Sequence, residues 1–225
     1  MSNPVDLNKI IDVFIITNGR STFPYCLDSV GSQKDVKFKL NIIEDMGWQE
    51  AHEEMLRRCI SRFALRVDDD MLLHPLALKF MYGCVKNQKD NIALRGWRLW
   101  EPWSNKMCKG IKVYNVGIAK KIGFRLDHLG KIDKPFTKNA EKAGYKIKYS
   151  KDIVAIHSCG TFKEHLKYWK MRGESKGKKF EEKKKWAKNL MRNCSYTLKE
   201  QYNLNIDFVP NENIKRGTKF GDFLK

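Results

Sequence analysis

A chain of 225 residues with 42% hydrophobic and 12% aromatic side chains is long enough to bury one substantial core and too apolar for wholesale disorder. No apolar run approaches the roughly 20 residues of a membrane-crossing helix, and MSNPVDLNKIID lacks the charged head and apolar stretch of a secretory leader, so a cytoplasmic protein is expected. The net charge of +18, half of whose excess falls in residues 151–225, attracts nucleotides, phospholipid headgroups or nucleic acid alike.

Ile11 to Thr17 (IDVFIIT) is a nearly continuous apolar run ending in Asn18-Gly19-Arg20, the pattern of a buried parallel strand followed by a turn. Ser21-Thr22 opens a helix through Tyr25, Leu27 and Val30. Phe38 to Asp45 (FKLNIIED) alternates as a second strand that delivers Glu44 and Asp45 to its carboxyl end. Trp48 to Ile60 has helical spacing, with Ala51, Met55, Leu56 and Cys59 on one face. A third strand starts at Phe63 and runs straight into Asp68, Asp69 and Asp70, before a helix begins at His74-Pro75.

This β-α-β-α-β order predicts a doubly wound α/β fold with a mostly parallel sheet. The acidic triplet then lies at the sheet edge where open α/β folds bind ligands. Two unit charges about 4 Å apart repel by about 4 kcal/mol at an effective dielectric near 20, so a positive partner is expected beside the triplet. A divalent, oxygen-seeking ion, Mg2+ or Mn2+, shared with substrate phosphates meets that need. An acidic turn with one Asp capping the next helix is the plainer alternative.

Leu76 to Val85 continues as a helix and Asn91 to Leu99 as a strand. RGWRLWEPW then sets Trp97, Trp100 and Trp103 in a turn-prone loop, suited to stacking on a sugar face or to a satellite core cluster. Val116 to Phe124 is short and glycine-punctuated. Asp133 to Ala143 reads as a helix with Asp133 as its N-cap, Pro135 in its first turn and Gly144 as its stop. Tyr145–Tyr149 and Ile153–Ile156 are two further short strands, the second ending at His157. Beyond them residues 162–192 are lysine-rich and dotted with Tyr168, Trp169, Phe180 and Trp186. They suit amphipathic helices that lie on an anionic membrane, dock on the core or stay solvated. Residues 1–160 are thus expected to form one domain and 161–225 a basic, largely helical extension. Cys26, Cys59, Cys84, Cys108, Cys159 and Cys194 contain no C-x-x-C pair, which argues against a zinc knuckle or redox motif.

With these motifs in place, residues 10–160 resemble the GT-A nucleotide-sugar glycosyltransferases, in particular the family 2 type. FIITNGR (Phe14–Arg20) is similar to that family's first-strand signature, and Glu44-Asp45 stands where the family places an acidic base or ribose contact. VDDDMLLHP (Val67–Pro75) is similar to its D-x-D motif and following proline, with Asp68 and Asp70 as the two acids. Ile132-Asp133 with Ala143-Gly144-Tyr145 looks like its E-D motif and downstream A-G-Y, with Ile132 where Glu is usual. His157 resembles the late histidine that many GT-A enzymes use on the metal.

The resemblance implies transfer of a hexose-type sugar from a UDP- or GDP-linked donor to a hydroxyl of a saccharide or lipid-linked acceptor. It implies that Asp68, Asp70 and His157 form the Mn2+ or Mg2+ site, Asp70 and His157 by direct ligation. Thr17, Asn18, Arg20, Glu44, Asp45 and Asp69 would contact the nucleotide sugar. Asp133 would be the general base of an inverting reaction, and Trp97, Trp100 and Trp103 would face the acceptor. A retaining transferase on the same fold is the runner-up, with Asp133 positioning substrate. Two other classes stay open: a nuclease-like protein whose triplet holds Mg2+ against a phosphodiester, and a membrane-surface module built on residues 162–192. No helix-turn-helix or RNA-binding signature is present, so no specific nucleic acid is expected.

Overall fold

The computed structural model describes residues 4–8, 10–101, 106–127 and 130–158, with Glu181 and Lys185. In chain order the elements are β1 (Val5–Asp6), β2 (Ile11–Thr17), α1 (Phe23–Gly31), β3 (Val36–Lys37), β4 (Leu40–Glu44), α2 (Trp48–Arg58) and β5 (Phe63–Asp68). There follow β6 (Met71–Leu73), α3 (Ala77–Val85), β7 (Ile92–Glu101), β8 (Lys106–Asn115), α4 (Val116–Ile122), α5 (Asp133–Lys142) and β9 (Lys146–His157). Apart from Glu181 and Lys185, the expected helical extension over 161–225 lies outside the described residues, as does Trp103.

A seven-stranded sheet in the order β4-β2-β5-β8-β7-β9-β6 forms the body, and β1 and β3 pair separately. β2 runs parallel to β4 and β5, and β7 parallel to β9. β8 is antiparallel to both its neighbours and β6 antiparallel to β9. The sheet is therefore mixed, a correction to the mostly parallel sheet predicted from the first seventy residues. The cause is local: β8 follows β7 too closely for the dozen or more residues of a parallel crossover, so it returns antiparallel beside it.

Every residue of β2 is buried, which explains its nearly continuous apolar character, and the buried Asp12 is satisfied by the Ile60 and Ser61 N–H groups. Along β5 the side chains alternate between two cores. Phe63, Leu65 and Val67 pack with Cys26 and Val30 of α1 and with Leu78 and Met81 of α3. Ala64 faces the other layer, where Met55 of α2, Ala119 of α4 and Phe136 of α5 meet. Arg66 and Asp68, two and four residues beyond Ala64, share that second face by the period-two rule for strands. A charged pair thus sits on the face that also carries this apolar cluster.

Two sequence expectations are corrected here. The tryptophan-bearing segment is strand β7, not a loop as far as Glu101, and Trp97 is 0% exposed. It packs in the first core with Leu99 and Ile111, so its indole offers no face to a sugar. Trp100 is buried with Leu72, Ile153 and Ile156. β9 is one twelve-residue strand where two short strands are predicted; its register against β7 shifts at three places, which is why its apolar pattern breaks in the middle. Among the described residues no helix is long and apolar enough to cross a membrane.

Candidate active site

Because β2, β4 and β5 point the same way, their carboxyl ends arrive at one edge, with Thr17 opposite Glu44 and Ile16 opposite Asp68. Glu44 and Asp45 are exposed there, and the Asp45 N–H donates to the Thr17 carbonyl at 3.3 Å. The three aspartates that follow have three different sets of partners. Asp68 faces Arg66, whose Nε lies 3.0 Å from Oδ1. Asp69 Oδ2 accepts from the Thr17 hydroxyl at 2.8 Å and the Asn18 N–H at 3.2 Å. Its other oxygen is 3.4 Å from Arg20 Nε. Asp70 Oδ2 pairs with Arg20 Nη1 and lies 3.4 Å from His157 Nε2. Thr17, Asn18, Arg20, Asp69, Asp70 and His157 therefore form one cluster, delivered by β2, the end of β5 and the end of β9.

The electrostatics distinguish the three carboxyls. Burial raises the pKa of Asp68 and of Asp69, opposed by Arg66 and by Arg20 respectively, with Asp70 adding repulsion. Burial acts on Asp70 as well, but His157 and Arg20 outweigh it and hold this carboxyl well below the usual range. His157 answers in kind: burial pulls its pKa down, and Asp70 reverses the shift to well above the ordinary value. Asp70 is therefore the carboxyl of the three whose charged form is favoured most. Its Oδ1 is buried and has no hydrogen-bond partner among the described residues, and leaving a charged acceptor so is costly. An orphan carboxylate oxygen beside an imidazole fits a hard divalent cation.

Asp133 lies on the same side, one guanidinium away. It is the first residue of α5, not its cap; Ile132 holds the cap position without a side-chain bond. This corrects the predicted N-cap role, and the reason is a stronger set of partners. Lys112 Nζ donates to Oδ2 at 2.9 Å, while Arg66 Nη1 and the Tyr114 hydroxyl donate to Oδ1 at 3.2 and 3.3 Å. Lys112 stands opposite Arg66 across the β5–β8 ladder, so the sheet itself brings both cations to Asp133. Burial raises the Asp133 pKa, but Arg66 and then Lys112 overcome it and hold the carboxyl well below its usual range. A carboxylate has about four lone-pair sites and three are engaged, which leaves one on Oδ2 of a side chain that is 41% exposed.

Sequence reasoning missed Arg66, Lys112 and Glu101, the last of which lies 3.0 Å from His157 Nδ1. For Arg66 a signal exists: a charge inside an apolar strand, two residues before an acid on the same face. Lys112 carries none, because the strand that buries it is itself hard to see among Lys106 and Lys109.

No protein-family model matches the sequence, and no curated protein matches it. Solved structures do. Glucosyl-3-phosphoglycerate synthase from Mycobacterium tuberculosis is similar with a TM-score of 0.51 and 14% identity, over 70% of this chain and 73% of that one. The mannosyltransferase PcManGT from Pyrobaculum calidifontis has a TM-score of 0.48 and 13% identity over 66% of this chain. TarS from S. aureus has a TM-score of 0.47 and 12% identity, also over 66%. The present chain spans 56% and 60% of the length of those last two chains. By its sheet order, its flanking helices and its likeness to the M. tuberculosis synthase, the chain has the GT-A fold found among nucleotide-sugar glycosyltransferases.

Proposed function

We propose that the chain is a metal-dependent glycosyltransferase that draws its sugar, of hexose type, from a nucleoside-diphosphate donor. The observation that carries this reading is the Asp70 carboxylate, with one buried oxygen unpartnered among the described residues and the other shared by Arg20 and His157, at the ligand-binding edge of a GT-A sheet. The structure of the similar M. tuberculosis synthase holds Mn2+ and UDP, and UDP or GDP is the donor nucleotide proposed here.

Asp70 and His157 Nε2 would hold Mn2+ or Mg2+, with Asp68 or Asp69 completing the shell through water. When bound, such an ion neutralises charge growing on a diphosphate leaving group. Thr17, Asn18, Asp69, Glu44 and Asp45 would hold base and ribose. Arg20, which now neutralises Asp69 and Asp70, would be released to a donor phosphate when another cation takes over that task.

Asp133 would receive the acceptor hydroxyl on the remaining lone pair of Oδ2 and take its proton as the new bond forms, giving inversion. Its three donors also favour a second reading: a carboxylate held this far below its usual pKa is a weak base, and in a retaining enzyme it would orient substrate instead. The acceptor is proposed to be a saccharide or lipid-linked hydroxyl. The location is proposed to be cytoplasmic, with peripheral contact to an anionic membrane resting on the charge of residues 151–225.

Thermal melting with UDP, GDP and their sugar conjugates tests the core of the proposal. The melting temperature should rise with nucleotide only when Mn2+ or Mg2+ is present, and Asp70→Asn should abolish the rise. Nucleotide-independent melting, with salt-sensitive retention of random oligonucleotides, would place the triplet on a phosphodiester instead.

A further inference from the structure

His157 has a second face. Its Nε2 looks toward Asp70, but its Nδ1 lies 3.0 Å from Glu101 Oε1 and 3.7 Å from Cys108 Sγ. The strands explain why three potential ligands meet there. β7 and β9 are parallel with Trp100 opposite Ile156, so Glu101 and His157 come next in line at the same level. β8 returns with Cys108 opposite Leu99, and residues two apart share a strand face. Glu101, Cys108 and His157 therefore stand side by side on three adjacent strands, with one ligand atom from each within 4.8 Å of the others.

From these residues we infer a second cation site, distinct from the Asp70 side of the ring, that takes a zinc-class ion on Glu101, Cys108 and His157 Nδ1. The geometry is close to what zinc requires. Bond lengths of about 2.3 Å to sulfur and about 2.0 Å to nitrogen and oxygen give tetrahedral edges of about 3.6 Å for S···N and about 3.3 Å for N···O. The two separations that involve Nδ1, 3.7 and 3.0 Å, lie within a few tenths of an ångström of those edges, and the sulfur and the carboxylate oxygen are within 4.8 Å of each other. A thiolate–imidazole–carboxylate set selects a borderline-soft ion over Mg2+ or Mn2+. Binding displaces the thiol proton and the proton on Nδ1, which leave to solvent. The remaining ring proton then sits on Nε2, 3.4 Å from Asp70 Oδ2, which makes Asp70 the outer-shell carboxylate of a carboxylate–histidine–zinc arrangement.

One consequence rests on the function proposed above. With a proton on Nε2, the imidazole no longer offers that nitrogen to a cation at Asp70, so zinc and the donor-side metal exclude each other at His157. Zinc would inhibit through a site of its own. The zinc site itself does not depend on that reading.

The test uses metal-free full-length protein titrated with Co2+, as a spectroscopic stand-in, and with Zn2+ against a competing chelator. One equivalent of Co2+ should produce a thiolate-to-cobalt charge-transfer band that Cys108→Ser removes. Zn2+ affinity should fall at least about 100-fold in Cys108→Ser, at or beyond the roughly 10–100-fold lost with an outer-shell partner alone, and at least tenfold in Glu101→Gln. Asp70→Asn should keep the band while losing the Mn2+-dependent nucleotide response, which separates this site from the other. Absence of the band, its survival in Cys108→Ser, or unchanged Zn2+ affinity in Glu101→Gln overturns the inference. The last measurement decides alone if Cys108→Ser does not fold.

Discussion

Lowering the pH should unlock the polar layer beneath the site through one residue, His52. It is wholly buried on α2, 0% exposed. Nδ1 lies 2.7 Å from the Trp48 carbonyl and therefore carries the proton, while Nε2 accepts from Arg66 Nη1 at 2.7 Å. Burial, then the neighbouring Arg66, pushes its pKa from 6.5 down to about 3. The folded value lies below the unfolded one, so the unfolded chain takes up the proton first. Stability from this group is present above pH 6.5 and is lost as pH falls toward about 3. Between about pH 7 and about pH 5 the linkage relation gives a loss of about 2 kcal/mol. At the lower pH that figure is set by titration of the unfolded chain and barely depends on the folded value. His52→Gln keeps an acceptor for Arg66 and removes the titration. Urea denaturation of both proteins at both pH values should show the wild type losing about 2 kcal/mol more than the variant. Equal losses would mean that the ring is protonated without penalty in the folded state, and the argument for a neutral His52 under Arg66 would fail.

Asp133→Asn should lower turnover by at least about a hundredfold, the lower range for a lost acid–base group, while leaving the Mn2+-dependent response to donor intact; near wild-type turnover rules out the base assignment. The anomeric configuration of the product, read by NMR, decides between inversion and retention. Trp97→Ala should destabilise by about 3–5 kcal/mol as a core truncation, and Trp97→Phe should leave the acceptor KM unchanged; a KM effect in a stable variant would return this residue to the acceptor. A Cβ added at Gly110 would lie 2.0 Å from Leu99 Cδ1, so Gly110→Ala should cost about 1–3 kcal/mol by overpacking, seen as a lower urea midpoint and partly relieved by Leu99→Ala.

Elements buried on both faces announced themselves. β2 and the start of β5 are nearly continuous apolar runs because helices cover the sheet on each side, and the acids at the end of β5 mark the edge directly. α5 was legible for a similar local reason: Gly144, at φ +81, ends it where an L side chain would be strained. β8 was not legible, since Lys106, Lys109 and Lys112 interrupt its pattern, and Lys112 is 4% exposed only because Asp133 meets it. Trp97 misled for the converse reason. Proline and charge around it suggest a turn, whereas a ten-residue strand carries it into the core.

The sequence by itself determined which residue types stand at the ends of the first three strands, because strand periodicity and turn residues act over a few neighbours. It thereby determined that Thr17, Asn18 and the aspartate triplet share an edge. Only the tertiary structure decided how the acids are divided: Asp68 to Arg66, Asp69 to Thr17, Asp70 to His157. It alone placed Asp133 between Arg66 and Lys112, and gave His157 a second set of neighbours in Glu101 and Cys108. The physical reason is that a side chain's charge state and partners depend on what the sheet stacks beside it, and here those partners come from strands far apart in the chain.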